Sequence, residues 1–491
     1  PVLLGGFGLW SQIRQRRREG GALLLLLFLS TVGLVLYMNF SDGTRYDQFS
    51  HEIIRLEVRD RDYFFTPGFV FFALLMGLGA SGVVRRLSRF KDWLGYGAAA
   101  VLLILPLTEL NKNYHTPNNR AGNHIPYVYA YNFLNSCDPD AVLFTAGDND
   151  TFPLWFAQEV EGIRKDVRVV NLSLLNTDWY ILQLKDEMGV PMDLTYDQIK
   201  WVKVRLPNGK MGDRPAEPYY DQLRKERRYL YQYVDQKTRS RVRIQDMMIE
   251  HIIFANQWKY PIYFSSTVPP RERVGLDNHL KMEGLTLKVV PEEGEKMIDV
   301  EKTHKLLWDV FRYDGINDIR VEKNIETANV LAYIPERFID LSTYYLNNGE
   351  KEKAIAELEK AMELVPHYFR SYLLLSKIYK DSGETEKEKE ILKQGIEYLS
   401  KLVEKRPEIV LHKVSLAFLN QILGNMPEAE RLLKEAFEEN PRDSRIQQSL
   451  VNLYVLTQRV DKAREVLEKW LKNNPNDRNA LNTLNRLNRT R

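Results

Sequence analysis

The chain has 491 residues, one cysteine and a formal net charge of +3 at pH 7. This length exceeds what one hydrophobic core supports and predicts about three domains. The near-neutral charge gives no reason to expect a nucleic-acid partner, and the single Cys137 excludes an intramolecular disulfide framework or a cysteine-rich zinc site. Because the sequence starts at Pro1 with an apolar run, we expect the carboxyl-terminal part of a longer polypeptide.

Three apolar stretches within residues 1–124 predict transmembrane helices. Residues 21–38 and 66–84 contain no charged residue and are long enough to span a hydrocarbon core. Residues 94–108 are shorter and contain Pro106, which disfavours a continuous helix. A buried helix of a soluble protein is the alternative for each stretch. Two basic clusters flank the stretches: Arg14, Arg16, Arg17 and Arg18, and then Arg85, Arg86, Arg89 and Lys91.

The basic clusters predict the orientation of the chain, because the positive-inside rule places both of them in the cytoplasm. Three crossings then put every residue after Glu109 outside the cytoplasmic membrane. If residues 94–108 do not span, that orientation reverses. We therefore expect a multi-pass membrane protein in contact with lipid, with its later domains extracytoplasmic.

Charged side chains precede the second apolar stretch, where Asp60, Arg61 and Asp62 are followed by Tyr63, Phe64 and Phe65. Charges at this depth are costly unless they are paired or hydrated, so they suggest a polar site at the outer membrane face. The alternative is a charge-compensated arginine beside an interfacial aromatic belt.

Residues 125–330 alternate strand-like and helix-like segments, which predicts an α/β domain with a mainly parallel sheet. The strand-like runs are residues 141–145, 167–172 and 260–266, and the helical segments are residues 125–135, about 151–162, from about 177, and 247–258. A further run at residues 285–290 ends at Pro291 and predicts an edge strand.

Polar corners follow the first two strands of this domain. The candidate contact residues there are Asp148, Asn149, Asp150, Thr151, Asp178 and Trp179. In a parallel sheet both corners emerge at one edge, where two carboxylates could hold a divalent cation or sugar hydroxyls against Trp155 or Trp179. The alternative is that Asp150 and either Asn176 or Thr177 cap helices. No motif identifies a metal site or a cofactor.

Residues 214–243 form a basic segment with nine Lys or Arg, four Asp or Glu and five tyrosines. Such a composition could contact nucleic acid, an anionic lipid head group or a glycan. A helix with a solvated charged face is the favoured explanation, and the expected extracytoplasmic location argues against nucleic acid.

Residues 335–491 carry an internal repeat, in which Pro366, Pro407, Pro441 and Pro475 lie 41, 34 and 34 residues apart. The 34-residue period is that of tetratricopeptide repeats, and seven extra residues before Pro407 predict a second helix longer by two turns. The predicted packing positions are Phe338, Leu341, Tyr345, Gly349, Ala354, Leu358, Ala361, Tyr372, Leu375, Tyr379, Gly383, Leu392, Leu416, Ala417, Gly424, Ala429, Leu433, Ala436, Leu450, Tyr454, Ala463 and Leu467. We expect about four repeats and a capping helix that bind a protein or peptide, or else a structural appendage.

Three runs resemble the carboxyl-terminal half of a bacterial polytopic membrane family that is similar to the protein O-mannosyltransferases. They are DRDYFF at residues 60–65, TAGDNDTFPLWFAQEVEG at 145–162 and DVRVVNLSLLNTDWY at 166–180, and the resemblance covers about residues 1–290. It implies a GT-C class glycosyltransferase that moves a sugar from a polyprenyl-phosphate donor onto a protein or glycan outside the bacterial inner membrane. That class keeps its acidic catalytic residue in the first extracytoplasmic loop, which we expect upstream of Pro1, so no catalytic residue is assigned in this chain.

Two functional hypotheses follow from the sequence. The first is the carboxyl-terminal portion of a GT-C-like membrane glycosyltransferase whose repeats recruit an acceptor or partner. The second is a non-catalytic, membrane-anchored scaffold of tetratricopeptide repeats for protein–protein interaction. Further membrane spans with an acidic outer loop upstream of Pro1 would favour the first hypothesis.

Overall fold

The computed structural model describes residues 1–37, 44–46, 53–55, 62–114, 120, 122–199, 201–205, 211–215, 244–318, 321, 327, 330–405, 407, 409–441, 443–475 and 477–489. Its residues form two compact units, Pro1–Arg120 and Ala121–Arg491.

Among its described residues, the first unit contains four long helices and a short ribbon. The helices are α1 (Val2–Gln15), α2 (Arg17–Leu36), α3 (Thr66–Ser88) and α4 (Asp92–Tyr114), and the antiparallel ribbon is β1 (Thr44–Tyr46) with β2 (Ile53–Arg55). By length and composition, α2, α3 and α4 could each cross a membrane, which indicates membrane association. Helix α4 continues through Pro106, so the helix that contains the third apolar stretch extends beyond the predicted residues 94–108 at both ends.

Helices α1 and α3 pack with their backbones in direct contact. A Cβ atom added at Gly8 would lie 2.0 Å from the Leu75 carbonyl oxygen, and one added at Gly79 would lie 2.0 Å from the Leu4 carbonyl oxygen. Small residues allow such close approach, which maximises dispersion contacts where lipid supplies no hydrophobic driving force. Glycine is therefore required at both positions.

Replacing Gly8 or Gly79 by alanine should lower the unfolding temperature of the full chain in detergent, because the new methyl group collides with backbone that cannot rotate away. We expect a cost of about 1–3 kcal/mol for each substitution. Gly6 and Gly77 are matched controls, since a Cβ there meets nothing within 4 Å. Equal unfolding temperatures for all four variants would contradict this packing.

The second unit begins with an α/β domain built on a six-stranded mixed sheet. Its strand order is β10-β8-β9-β7-β3-β4. The strands are β3 (Val142–Thr145), β4 (Arg168–Asn171), β7 (Ile262–Ser265), β8 (Leu280–Glu283), β9 (Thr286–Val289) and β10 (Met297–Ile298), and a separate ribbon pairs β5 (Trp201–Arg205) with β6 (Met211–Pro215). The domain's helices are α5 (Ile125–Ser136), α6 (Asp148–Glu159), α7 (Asp178–Asp186), α8 (Ile244–Asn256) and α9 (Val300–Lys305).

Two predictions about the sheet need correction. The sheet is mixed, because β9 pairs antiparallel with both β7 and β8, whereas β3 pairs parallel with β4 and β7. The run at 285–290 is an interior strand, not an edge strand. A tight turn at Gly284, whose φ is +59°, joins β8 to β9 and inserts the hairpin beside β7.

Helices cover both faces of the sheet. Leu143 of β3 packs into a core with α5, α6 and the first repeat helices. Its neighbours Val142 and Phe144 pack into a second core with α7 and α8. Alternate residues of one strand thus enter opposite cores, which fixes the register of β3 in the sheet.

A helical array occupies the carboxyl-terminal part of the second unit. Its helices are α10 (Tyr333–Asn347), α11 (Lys351–Leu364), α12 (Phe369–Asp381), α13 (Thr385–Lys405), α14 (Val410–Leu423), α15 (Met426–Glu439), α16 (Ser444–Leu456), α17 (Val460–Asn473) and α18 (Arg478–Arg489). Of the packing positions predicted from the repeat, all except four are buried. Tyr379 is half-buried, and Gly349, Gly383 and Gly424 are exposed. Helix α13 has 21 residues where α11 and α15 have 14, which confirms the two extra turns.

The array is bonded to the α/β domain. The Glu357 carboxylate on α11 is buried and accepts a hydrogen bond from Trp308 Nε1 at 3.0 Å, while His304 Nδ1 lies 2.6 Å from its other oxygen. Phe338 and Leu341 of α10 also belong to the core that contains Leu143. The first repeat is therefore part of the packing of the α/β domain.

Candidate functional site

Both predicted polar corners lie at the carboxyl ends of neighbouring strands, β3 and β4. Strands β3 and β4 pair in parallel up to Thr145 and Asn171, so the segments that leave them start side by side. The hydroxyl of Ser173 donates to the Ala146 carbonyl oxygen at 3.1 Å and links the two corners directly. We refer to this region, residues 146–152 and 173–180, as the corner site.

Asp150 is at the base of the corner site and is only 6% exposed. Its carboxylate accepts hydrogen bonds from the Ala146 amide at 2.8 Å, from the Thr267 hydroxyl at 2.6 Å, from the Ser265 hydroxyl at 3.1 Å and from the Tyr129 hydroxyl. Burial raises the pKa of the Asp150 carboxyl, and these hydrogen bonds oppose that rise. Four donors on one buried carboxylate make Asp150 a structural anchor.

Tyr129 is the partner that α5 contributes to this anchor. Burial, followed by the neighbouring Asp150 carboxylate, raises the pKa of the Tyr129 phenol well above its ordinary value. The phenol therefore stays protonated and donates to the carboxylate. The Asp150 carboxylate thus joins helix α5, the loop after β3 and the end of β7.

Thr151 is also internal. Its hydroxyl lies 2.7 Å from the Thr145 hydroxyl and accepts a hydrogen bond from Asn171 Nδ2 at 2.9 Å, and all three residues are fully buried. The network joins the ends of β3 and β4 to the first turn of α6. Thr151 therefore positions the corner and does not face solvent.

The capping alternative differs from the structure in its details. Helix α6 begins at Asp148 after Gly147, so Asp150 lies inside the first turn and does not cap it. Thr177 precedes α7, but its hydroxyl donates to the Leu174 carbonyl oxygen at 2.7 Å and not to the helix. Asn176 bonds Gln245 at the start of α8, with 2.8 Å between the side-chain amides.

The remaining predicted contact residues lie at the surface of the corner site. Asp148 and Asn149 are exposed at the start of α6, Asp178 is half-buried at the start of α7, and Trp179 is 54% exposed. The Asp178 carboxylate accepts a hydrogen bond from the Trp179 amide at 2.8 Å. These four residues, unlike Asp150 and Thr151, are available to a ligand.

A continuous row of aromatic rings crosses from α6 to α7. The ring centres of Phe152 and Trp155 are 5.6 Å apart, those of Trp155 and Tyr180 are 6.4 Å apart, and those of Tyr180 and Trp179 are 5.6 Å apart. Phe152 is 51% exposed, and Phe156, one turn further along α6, is 48% exposed. We call Phe152, Trp155, Phe156 and Trp179 the aromatic patch.

The aromatic patch and the surface carboxylates together indicate which class of ligand could bind here. Exposed aromatic faces stack on flat apolar surfaces, and nearby carboxylate and amide groups fix the orientation of a polar ligand by hydrogen bonding. Asp148 and Asn149 begin α6, which carries Phe152, and Asp178 directly precedes Trp179 on α7. A pyranose ring offers both an apolar face of C–H bonds and a rim of hydroxyls, so it matches this arrangement.

Sequence reasoning identified Trp155 and Trp179 but not Phe152 and Phe156. The signal was present, because Phe152, Phe156 and Val160 recur every fourth residue while Leu154 and Ala157 supply the buried face. A helix that is apolar on two faces buries one face against its own domain. The other face remains exposed and is available to a ligand or a partner protein.

The other predicted sites lie almost entirely outside the described residues. Asp60, Arg61 and residues 216–243 lie outside the described residues, and of Asp62 only the backbone, at the start of a 3-10 turn, is described. Within the described part of the chain, no group of three or more His, Cys, Asp or Glu is arranged to hold a metal ion.

Comparison with protein families supports two of these regions. A family described as TMEM260-associated domain 2 matches residues 127–211 and 219–305, which include the sheet and the corner site. Tetratricopeptide repeat families match residues 336–368, 369–398 and 422–487. The helical array is therefore a tetratricopeptide-repeat array, a fold that acts as a protein–protein interaction scaffold.

Solved repeat proteins are similar to part of the chain. A thermophilic tetratricopeptide-repeat protein of Thermus thermophilus is 20% identical, with 33% of this chain and 90% of that chain covered and a TM-score of 0.25. A MamA protein is 22% identical, covering 31% and 80%, with a TM-score of 0.21. MamA of Desulfovibrio magneticus RS-1 is 14% identical, covering 36% and 88%, with a TM-score of 0.22.

Replacing Asp150 by alanine should strongly destabilise the second unit, because four buried donors lose their acceptor at once. We expect a loss of about 3–5 kcal/mol, measured as a decrease of roughly 6–12 °C in the unfolding temperature of the full chain in detergent. Asp148→Ala is the matched control, since Asp148 is exposed two residues away, and it should change that temperature by less than about 2 °C. Similar decreases for both variants would show that Asp150 is not an anchor.

Proposed function

We propose that this chain is the carboxyl-terminal portion of a GT-C-like membrane glycosyltransferase. In this proposal the enzyme transfers a sugar from a polyprenyl-phosphate donor to a protein or glycan outside the bacterial inner membrane. The chain's own role is to hold the acceptor. The observation that carries the proposal is the aromatic patch beside Asp148, Asn149 and Asp178, held at the edge of the sheet by the Asp150 anchor.

The corner site suits an acceptor because its binding groups are held rigidly. Trp179 leans edge-on against Tyr180, at 68° between the ring planes, and Tyr180 is fixed by the hydrogen bond that its hydroxyl accepts from the Asn171 amide at 2.9 Å. Asp178 is held in turn by the Trp179 amide. A preorganised aromatic and carboxylate pair loses little conformational entropy when a ligand binds.

The other regions have supporting roles in this proposal. Helices α2, α3 and α4 anchor the chain in lipid, and the basic residues around the start of α2 and the end of α3 favour an orientation in which the residues after α4 are extracytoplasmic. The repeat array recruits the protein that carries the acceptor. The residues of this chain bind and orient the acceptor, and none of them is assigned as the catalytic acid.

The second candidate function is a membrane-anchored scaffold without catalysis. It is favoured by the repeat array, whose first repeat is bonded to the α/β domain through Glu357. The aromatic patch would then contact protein instead of sugar, since exposed aromatic residues are also common in protein interfaces. Carbohydrate binding at the corner site separates the two functions.

Replacing Trp179 by alanine should weaken carbohydrate binding at least tenfold, because the exposed indole provides the stacking face at the end of the patch. The measurement uses the full chain in detergent on an array of immobilised glycans, followed by titration of the glycan that gives the strongest signal. Trp258→Ala is the matched control, since Trp258 is also 54% exposed but lies between α8 and the amino end of β7. The corner site instead follows the carboxyl ends of β3 and β4, and β3 runs parallel to β7.

The control variant should bind within about twofold of the unaltered chain. If the unaltered chain binds no glycan on the array, or if both tryptophan variants bind as well as it does, the acceptor-holding role is wrong. The scaffold function would then be the better account of this chain.

A further inference from the structure

Two basic turns lie at the same end of the helices in the first unit. The first turn joins α1 to α2 at Arg16, where the backbone leaves the helical conformation, and the second joins α3 to α4. Their cationic residues, which we call the basic face, are Arg14, Arg16, Arg17, Arg18, Arg85, Arg86, Arg89 and Lys91. All eight side chains are exposed.

The contacts between α1 and α3 bring the two turns together. A Cβ atom added at Gly5 would lie 2.7 Å from the Phe72 ring. One added at Gly82 would lie 2.8 Å from the Phe7 ring. Later residues of α1 thus contact later residues of α3, so the two helices run in the same direction. About two helical turns beyond the contact of Phe7 with Gly82, both helices reach the basic face.

The basic face carries a large excess of positive charge. Residues 14–19 and 85–92 contain its eight cationic residues and two acidic ones, Glu19 and Asp92, which gives a net charge of +6. Arg16 pairs with Glu19 at 3.1 Å. Within the part of the chain that the structure describes, five cationic side chains form no hydrogen bond or ion pair: Arg17, Arg18, Arg86, Arg89 and Lys91.

This concentration of like charge opposes the packing of the helices. The close contact of α1 with α3 holds two groups of cations near each other, and cations repel one another most strongly where water is partly excluded. An anion between the two turns would offset that repulsion. The basic face therefore needs an anionic partner more than an isolated surface arginine does.

Exposed aromatic side chains border the basic face and indicate where it lies. They are Trp10, Phe90, Trp93 and Tyr96, which are 50%, 75%, 65% and 77% exposed. Aromatic residues of this kind are enriched at the level of the lipid head groups. Helices α2, α3 and α4, which could each cross a membrane, begin or end at the two turns. The basic face is thus located where lipid phosphates are the nearest anions.

We propose that the basic face binds the phosphates of anionic phospholipids and that the bound lipid stabilises the packing of α1 against α3. A guanidinium can donate two parallel hydrogen bonds to the oxygens of one phosphate. The exposed aromatic rings favour a lipid over a soluble anion, because they contact the region below the head group. This inference goes beyond the proposed function and does not depend on sugar transfer.

The first test measures lipid binding to the full chain in an uncharged detergent by native mass spectrometry. Phosphatidylglycerol and phosphatidylcholine with identical acyl chains are titrated separately. We expect phosphatidylglycerol to bind at least about tenfold more tightly, with an affinity that falls as salt rises. Equal binding of the two lipids would overturn the proposal, and so would displacement of phosphatidylglycerol by an equal concentration of inorganic phosphate.

Paired substitutions then test both turns. Arg17→Gln with Arg18→Gln removes two charges from the first turn, and Arg86→Gln with Arg89→Gln removes two from the second. Each pair should weaken binding of phosphatidylglycerol about tenfold, because both turns contact the phosphates. If neither pair weakens binding, or if only one does, the two turns do not form one lipid site.

A third pair, Lys112→Gln with Arg120→Gln, is the matched control. Both residues are exposed, and they lie near and beyond the other end of α4, so the same charge is removed away from the basic face. This pair should change binding less than about twofold. A decrease as large as that of the other two pairs would show that overall charge, and not the basic face, attracts the lipid.

Unfolding temperatures test whether the bound lipid stabilises the helices. Phosphatidylglycerol should raise the unfolding temperature of the unaltered chain in uncharged detergent more than that of either basic-face variant. Without that lipid, both variants should be at least as stable as the unaltered chain, because fewer like charges repel. Earlier unfolding of the variants without lipid, or lipid binding without a rise in temperature, would overturn the stabilising role.

Discussion

The buried carboxylate of Asp150 is the interaction on which the α/β domain depends. It lies in the first turn of α6 and accepts hydrogen bonds from α5, from the loop after β3 and from the end of β7. An ionisable group in such a place is unfavourable unless every lone pair has a donor, and here four donors provide that compensation. The geometry of the polar corner follows, because the helix that carries Asp148 and Phe152 cannot move independently of the sheet.

The two ends of the sheet use charge differently. Asp138 precedes the amino end of β3, opposite to the corner site, and pairs with Lys288 at 2.5 Å and Lys302 at 2.6 Å. These ion pairs hold the pKa of Asp138 well below its usual range, although partial burial opposes that decrease. Both lysines also pair with the buried Glu283. The charges at that end of the sheet are thus paired with one another. In the corner site, by contrast, Asp148 and Trp179 lie at the surface, where a ligand can reach them.

Regular patterns made part of this structure predictable. The 34-residue period predicted the repeat helices, and even the two extra turns of α13, because each repeat meets only its neighbours. The role of Asp150 could not be predicted, since its partners Tyr129, Ser265 and Thr267 lie 21, 115 and 117 residues away. An aspartate in a Gly-Asp-Asn-Asp corner is normally solvated or caps a helix. The β8–β9 hairpin was missed because its turn at Gly284 is too short to stand out, so β9 was expected at an edge.

The central claim is that this chain holds a protein or glycan acceptor for sugar transfer at the membrane. The most direct measurement first identifies the proteins that crosslink to the repeat array in intact cells. Mass spectrometry then measures the glycans on these same proteins in cells with and without the gene for this chain. The account predicts that the crosslinked partners carry glycans and that these glycans disappear when the gene is deleted. Partners without glycans, or glycans that persist after deletion, would contradict it and leave the chain a scaffold.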